Sequence, residues 1–180
     1  MKKLIVPKGW HLCINQTPCI VNTQKASLDV IFDNSCVYNT GIEQLDWLKM
    51  PVGFSIGLLP KGLLTKPMHH NSIRFGWRYS TVSNKIEVAP YWYINGVRHY
   101  AEKDGQPICS LKLNTKFTFQ IEKMDSRNGY SMWVFNEDHN LLGAWNLYFE
   151  GSDESKLGWS ANLYFGGTAP APHKVTMQVK

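Results

Sequence analysis

The feature that most constrains what this chain can fold into is a nine-residue run, Ser72 to Ser80 (SIRFGWRYS), in which apolar and polar or small residues alternate without a break. Side chains on an extended strand point to opposite faces in turn, so Ile73, Phe75, Trp77 and Tyr79 share one face and Arg74, Gly76 and Arg78 share the other. A helix would scatter the same residues around its circumference. The run reads as a half-buried strand, and the residues that follow fix its partner.

Thr81 to Asn84 forms a short turn into a second strand, Lys85 to Asn95, and setting Ser80 opposite Lys85 fixes the register. Arg78 then faces Glu87, Gly76 faces Ala89, Arg74 faces Tyr91, and Trp77 lies beside Val88. A slip of one residue would set Arg78 against Ile86 and lose the ion pair. Asn95-Gly96 is the dipeptide of a type I′ hairpin, whose two central residues need positive φ. It returns the chain along Val97 to Glu102, with Ile94 opposite Val97, Tyr93 opposite Arg98 and Tyr91 opposite Tyr100. One face of this meander collects Arg74, Arg78, Glu87, Tyr91, Tyr93, Arg98 and Tyr100. The other sends Phe75, Trp77, Val88 and Trp92 into a core. If the first face is solvated, the Arg78–Glu87 pair contributes only ~0.2–1 kcal/mol, and Arg78 can be replaced at little cost in stability.

The rest of the chain repeats the theme. Ser27 to Asp33, Lys116 to Lys123, Tyr130 to Asn136, Leu141 to Phe149 and His173 to Lys180 read as further strands, separated by turn signals at roughly eight- to fifteen-residue spacing. Phe117, Phe119 and Ile121 form one inward row. The one helical pattern is Gly41 to Lys49, where Ile42, Leu45 and Leu48 recur three apart and which ends at Met50 before Pro51. With 7 Trp, 8 Tyr and 8 Phe but only 18% charged residues, the composition favours strands. The expectation is one all-β domain over residues 1–180, two antiparallel sheets packed as a sandwich, with residues 1–26 as strands or an arm packed on it.

A net charge of +5 suits an acidic partner, but no run of five or more basic residues occurs, so no nucleic-acid partner is expected. Met1 to Trp10 holds three apolar residues before Pro7, too few for the apolar region of a signal peptide, and no stretch approaches the ~18 apolar residues of a membrane span. Synthesis in the cytoplasm is the expectation, with no membrane partner and with a virion as one compatible destination. Cys13, Cys19, Cys36 and Cys109 show no CxxC spacing; they allow three pairings if oxidised, and without an export signal they read as reduced, buried thiols.

His69-His70-Asn71-Ser72-Ile73-Arg74-Phe75-Gly76-Trp77-Arg78, the strand with Tyr93-Ile94-Asn95-Gly96-Val97-Arg98, and Tyr164-Phe165-Gly166-Gly167 with Ala171-Pro172-His173 resemble a group of bacterial and phage proteins with a concanavalin A-like jelly roll, over roughly Ser27 to Lys180. The resemblance implies a jelly-roll sandwich, a fold shared with lectins, carbohydrate-binding modules and polysaccharide lyases, and so an expectation of glycan as ligand. Tyr164 to Gly167 is similar to the YFKAG segment of alginate lyases. The Arg-rich and Gln-x-His motifs that accompany that segment have no counterpart here, so the resemblance carries over the fold and no catalytic residue.

Arginine forks grip carboxylates and sulfates at two points and tyrosine rings stack on sugar faces, so the meander face is the candidate site for an anionic glycan. The same alternation also suits a solvated outer sheet or a contact with a neighbouring subunit, including the subunits of a phage particle. His69, His70 and Asn71, just before the strand, are loop candidates, the histidines as a base or metal ligands. No cofactor is expected. Asp29, Asp33, Asp138 and Asp153 are the oxygen donors available to calcium, without the spacing of an EF-hand. No nucleotide, nucleophile-elbow or zinc-protease motif is present. The expected function is a non-catalytic binding or structural module, glycan-binding or part of a virion, with an oligomer compatible with either. The alternative is a lyase or glycosidase that uses Arg74 or Arg78 to neutralise a uronate carboxylate and Tyr91 or His70 to abstract its proton.

Overall fold

The computed structural model describes residues 1–58, 67–125, 127–149 and 155–180, without the side chains of Ile42 and Glu43. In chain order its elements are β1 (Lys2–Val6), β2 (Ile20–Asn22), β3 (Lys25–Phe32), β4 (Leu48–Ser55), β5 (Ser72–Ser80), β6 (Lys85–Ile94), β7 (Val97–Tyr100), α1 (Ala101–Asp104), β8 (Cys109–Leu111), β9 (Lys116–Lys123), β10 (Gly129–Phe135), β11 (Leu141–Tyr148), β12 (Leu157–Trp159) and β13 (Val175–Val179). A six-stranded sheet runs in the order β1-β13-β3-β9-β10-β11. A five-stranded sheet runs β4-β5-β6-β7 with β8 also on β6, and β12 pairs with β2. The pairings between these strands are antiparallel.

The two large sheets pack face to face because each carries an alternating apolar row. Ile73, Phe75 and Trp77 of β5 are fully buried, as are Phe119 and Ile121 of β9. Aromatic rings cross the interface: Trp77 lies 5.5 Å from Phe32, Phe75 lies 5.0 Å from Phe119 and 6.0 Å from Trp145, and Phe54 lies 5.5 Å from Tyr130. One continuous cluster of buried apolar residues extends from Leu4 to Val179. Each large apolar side chain so placed contributes about 1.5–3 kcal/mol through burial. The molecule is an all-β sandwich of antiparallel sheets.

The meander register is the one the sequence implies. Arg78 pairs with Glu87, Gly76 with Ala89 and Arg74 with Tyr91 across β5 and β6, and Tyr93 with Arg98 and Tyr91 with Tyr100 across β6 and β7. Both turns use left-handed residues, Asn84 at φ 54° in the first and Asn95 at 50° with Gly96 at 83° in the second. Pro90 marks a change of partner: β6 pairs with β8 as far as Val88 and with β7 from Tyr91 onward. A residue without an N–H fits that gap.

Three expectations fail. The helical pattern over Gly41–Lys49 forms only a 3-10 turn, Gly41–Leu45, and Leu48 already opens β4. Met50 and Pro51 lie within β4, and the register with β5 shifts between Lys49 and Gly53; β4 ends its sheet, where a proline and a bulge are tolerated. The third meander strand stops at Tyr100, because residues 101–104 turn into α1, capped by Gly105 in the left-handed region, so Glu102 is helical. All four cysteines are free, yet only Cys36 and Cys109 are buried, while Cys19 is exposed. Among the described residues no helix is long and apolar enough to cross a membrane.

Candidate functional site

The outer face of the five-stranded sheet is where the seven predicted side chains lie, but it is not a solvated face. Arg74, Arg78 and Tyr91 are 6%, 7% and 3% exposed. The cover at one end is Trp47, which packs with Ala89, Tyr91 and Ala101 into a second small cluster. Gly76 makes this possible: a methyl group there would come within 3.1 Å of the indole. The Arg78 guanidinium lies 4.4 Å from the centre of the Trp47 ring, donates from Nε to Glu87 at 2.7 Å, and from Nη1 to Glu102 at 2.6 Å and to the Leu45 carbonyl at 2.9 Å. Trp47 Nε1 also donates to Glu102, at 2.7 Å. Burial tends to raise the Glu102 pKa, but these hydrogen bonds and the Arg78 charge outweigh it and hold the pKa below its ordinary value. Arg78 and Glu87 are therefore interior bracing, and the expectation of an exposed ion pair is overturned.

At the other end the face opens into a cleft of about 900 Å³. Arg74, Tyr91 and Tyr93 form its floor, with Arg98 and His69 at the side. The opposite wall comes from far along the chain. Residues 159–164 run beside β4, with Tyr164 and Lys49 exchanging backbone hydrogen bonds at 2.9 and 3.0 Å and Ala161 donating to Gly53 at 2.9 Å. This covers the free edge of β4 and brings Trp159, Asn162 and Tyr164 over the sheet. Trp159 is held by a hydrogen bond from Nε1 to the Leu58 carbonyl at 3.1 Å. Tyr100 lines a smaller hollow of about 300 Å³ that shares Lys49, Tyr91 and Arg98 with the cleft.

Two features give the cleft its chemistry. Arg74 is buried at its floor with Nε and Nη2 lacking a hydrogen-bond partner among the described residues, and the Asn162 Oδ1 atom is likewise buried and unpartnered there. Leaving a buried polar atom unpaired is unfavourable, so such atoms in a native cleft need an explanation. Second, positive charges converge on rings: Arg74 Cζ lies 5.2 Å and Lys49 Nζ 4.9 Å from the Tyr91 centroid, Lys49 lies 5.7 Å from that of Tyr164, and Arg98 lies 5.2 Å from that of Tyr100. Burial, with Arg74 and Arg98 adding to it and Asp46 opposing, lowers the Lys49 pKa to about 8. Burial lowers that of Arg74 too, which still remains a cation at neutral pH. Burial, together with a hydrogen bond to Tyr93, pushes the Tyr91 phenol up, so it stays protonated.

The loop candidates separate. His69 stacks on Tyr93 with ring centres 5.3 Å apart and lines the cleft. His70 does not line it; its Nε2 is buried without a partner among the described residues, and its carbonyl accepts from Gly96 at 2.9 Å. Asn71 is buried and accepts the Asn95 N–H at 2.6 Å, so it anchors the hairpin rather than a ligand. Asp33 receives hydrogen bonds from Ser35 and Thr176, and Asp29 from Thr118. Asp153 lies outside the described residues. Among the described residues no three His, Cys, Asp or Glu side chains group as a metal site. His99 lies opposite Trp92, as its strand position implies, stacked on it at 5.1 Å and bonded to Asp104 at 2.9 Å.

Lys49, Trp159 and Asn162 were not singled out in the sequence. Their signal is non-local, since each reaches the cleft through the pairing of residues 159–164 with β4. No protein-family model, no curated protein and no solved structure matches the chain.

Proposed function

We propose that the chain is a concanavalin A-like jelly roll acting as a non-catalytic binding module that holds an anionic glycan in this cleft. The observation that carries the reading is the pair of unpartnered Arg74 donors at the floor. Nε and Nη2 lie on one edge of the guanidinium and match the two oxygens of a carboxylate or sulfate. A ligand that supplied those oxygens would relieve an unpaired buried cation, so affinity would concentrate there. Tyr93, Tyr164 and Trp159 offer rings for sugar faces, Asn162 Oδ1 accepts a hydroxyl, and Arg98 and Lys49 add positive charge. The reading needs no cofactor.

Binding to an array of uronate-containing and sulfated oligosaccharides, followed by titration, tests this. Hits restricted to acidic glycans, weakened by salt and reduced about tenfold or more in Arg74→Met support it. An array without hits, or an Arg74→Met affinity equal to wild type, overturns it.

Two other readings each have one observation in favour. A role as a phage-particle subunit is favoured by β11, an edge strand with exposed Leu141, Leu142 and Tyr148 that could pair with a neighbour. Light scattering that shows a concentration-independent oligomer would support it, and a monomer would count against it. Catalysis by a lyase or glycosidase is favoured by the contact of Arg74 with the Tyr91 ring. Arg78 and His70 lie off the cleft, so only Arg74 and Tyr91 remain of the four residues named for that chemistry, and Tyr91 holds its proton firmly. Ultraviolet absorbance from unsaturated uronate products would replace the non-catalytic reading.

A further inference from the structure

We propose that Lys49 is a reactive amine that captures the carbonyl group of an oxo acid as a reversible imine, with the acid group seated at Arg74. Lys49 belongs to the cleft wall, between the rings of Tyr91 and Tyr164, and lines both the large cleft and the smaller hollow. Its backbone is fixed in both directions by Tyr164, and Nζ donates to the Trp47 carbonyl at 3.0 Å, which holds the amine in place. Among the described residues the charged groups that act on it are Arg74 on β5, Arg98 on β7 and Asp46 before β4. The phenols are Tyr91 on β6 and Tyr164. Two cations and one carboxylate in a half-buried setting disfavour the ammonium form, which is how a lysine becomes a nucleophile at neutral pH. With a pKa of about 8, roughly a tenth of the amine is neutral at pH 7, against fewer than about one in a thousand for an ordinary lysine.

The ligand class follows from the neighbour. Arg74 and Lys49 lie in cation–π range of the same Tyr91 ring, so a molecule whose carboxylate occupies the orphan Arg74 donors brings its other end toward Nζ. An aldehyde or ketone there completes the site. The Nζ lone pair forms a bond to the carbonyl carbon, the carbonyl oxygen leaves as water with the two amine protons, and one solvent proton converts the imine to the iminium. The N–H formed by that solvent proton donates to the Trp47 carbonyl in place of the ammonium. No oxidant or reductant takes part.

The test compares 4-oxobutanoate with butanal, which have the same chain length and differ in the acid group, each with cyanoborohydride to supply the trapping hydride. The full chain is analysed by intact mass and peptide mapping. Lys49 should be labelled by 4-oxobutanoate about tenfold faster than exposed Lys8 and Lys85, and about tenfold faster than by butanal. Its rate should rise with pH and level off above about 8. Arg74→Met should bring the two probes to parity, and Lys49→Arg should remove the label from this position. Labelling of Lys49 no faster than of Lys8 and Lys85 overturns the proposal, and equal rates for the two probes on wild type overturn its oxo-acid class. It rests on the same cleft but not on the polysaccharide: acidic-glycan binding with a silent Lys49 sinks this proposal alone, and Lys49 labelling without glycan hits sinks only the glycan.

Discussion

Arg74 and Arg78 are four residues apart on one strand, face the same way and are similarly buried, yet they should respond in opposite ways to the same substitution. Arg78 has ionic or carbonyl partners for Nε and Nη1. Arg78→Met would take the ionic partner from Glu87 and Glu102, whose side chains are 19% and 43% exposed, and leave Glu102 its Trp47 donor. Removing one member of a buried pair costs about 3–5 kcal/mol when the survivor is sealed from water, and partial hydration of these two carboxylates puts the loss near the lower end, about 3 kcal/mol. For a chain of this size that lowers the midpoint by roughly 6–12 °C. Arg74→Met instead removes a buried cation with two unpartnered donors and puts an apolar chain of similar length in its place. The loss of its contact with Tyr91, about 1 kcal/mol, is offset by relief of desolvation, so the midpoint should stay within about 2 °C of wild type or rise. Thermal unfolding followed by circular dichroism, with urea unfolding as a second measure, separates the two. Equal losses would mean that Arg74 is bracing as well and that the cleft floor has no functional vacancy; a shift under about 3 °C for Arg78→Met would mean the Trp47 cover is not held by charge.

Trp77→Ala, at the centre of the sandwich, should cost about 3–5 kcal/mol in urea unfolding through the cavity it leaves. Trp77→Phe should cost much less, because the indole N–H has no partner to lose among the described residues. Lys49→Met should raise stability at neutral pH. The folded-state pKa of about 8 lies below the unfolded value of ~10.4, so wild type gains stability as pH rises between them, and the gap between the two proteins in melting temperature should narrow over that range. Glu102 and Asp33 have depressed pKa values, so their stabilisation is present above the unfolded values of ~4.3 and ~3.9 and fades as pH falls through the folded ones. The advantage of wild type over Glu102→Gln should therefore shrink in acid titrations below about pH 4. Gly53→Ala should destabilise strongly, since φ there is 140° and a methyl would collide with the Ile73 carbonyl.

The register of β5, β6 and β7 was legible because local chemistry determines it twice, at the left-handed turn residues and at the Arg78–Glu87 pair. The core rows were legible for the same reason: period two is a property of the strand itself. Whether the second face of a sheet meets water is not local information. Arg74 and Arg78 look alike in the sequence, and what divides them is Trp47 from before β4, Glu102 from α1 and Tyr164 from near the other end of the chain. One trace of the cover was present. Gly76 and Ala89 sit opposite each other amid large polar side chains, and a solvated outer sheet gains nothing from such a pair. Small residues facing each other on a sheet leave a hollow that another side chain can fill, and here the Trp47 indole fills it. Carrying the helical turn on to Lys49 hid that clue, because the turn ends at Leu45 and Leu48 already opens β4 beside the sheet. A three-residue apolar period over so short a segment also fits a 3-10 turn running into a bulged edge strand, and Pro51 favours the latter, since an edge strand tolerates a proline. The face therefore has two parts with different jobs: a sealed end where Arg78 is paired with Glu87 and Glu102, and an open end where two Arg74 donors have no partner among the described residues. The orphan donors of Arg74, and the place of Lys49 beside them in the cleft, are the reason to assign function to these two residues rather than to Arg78.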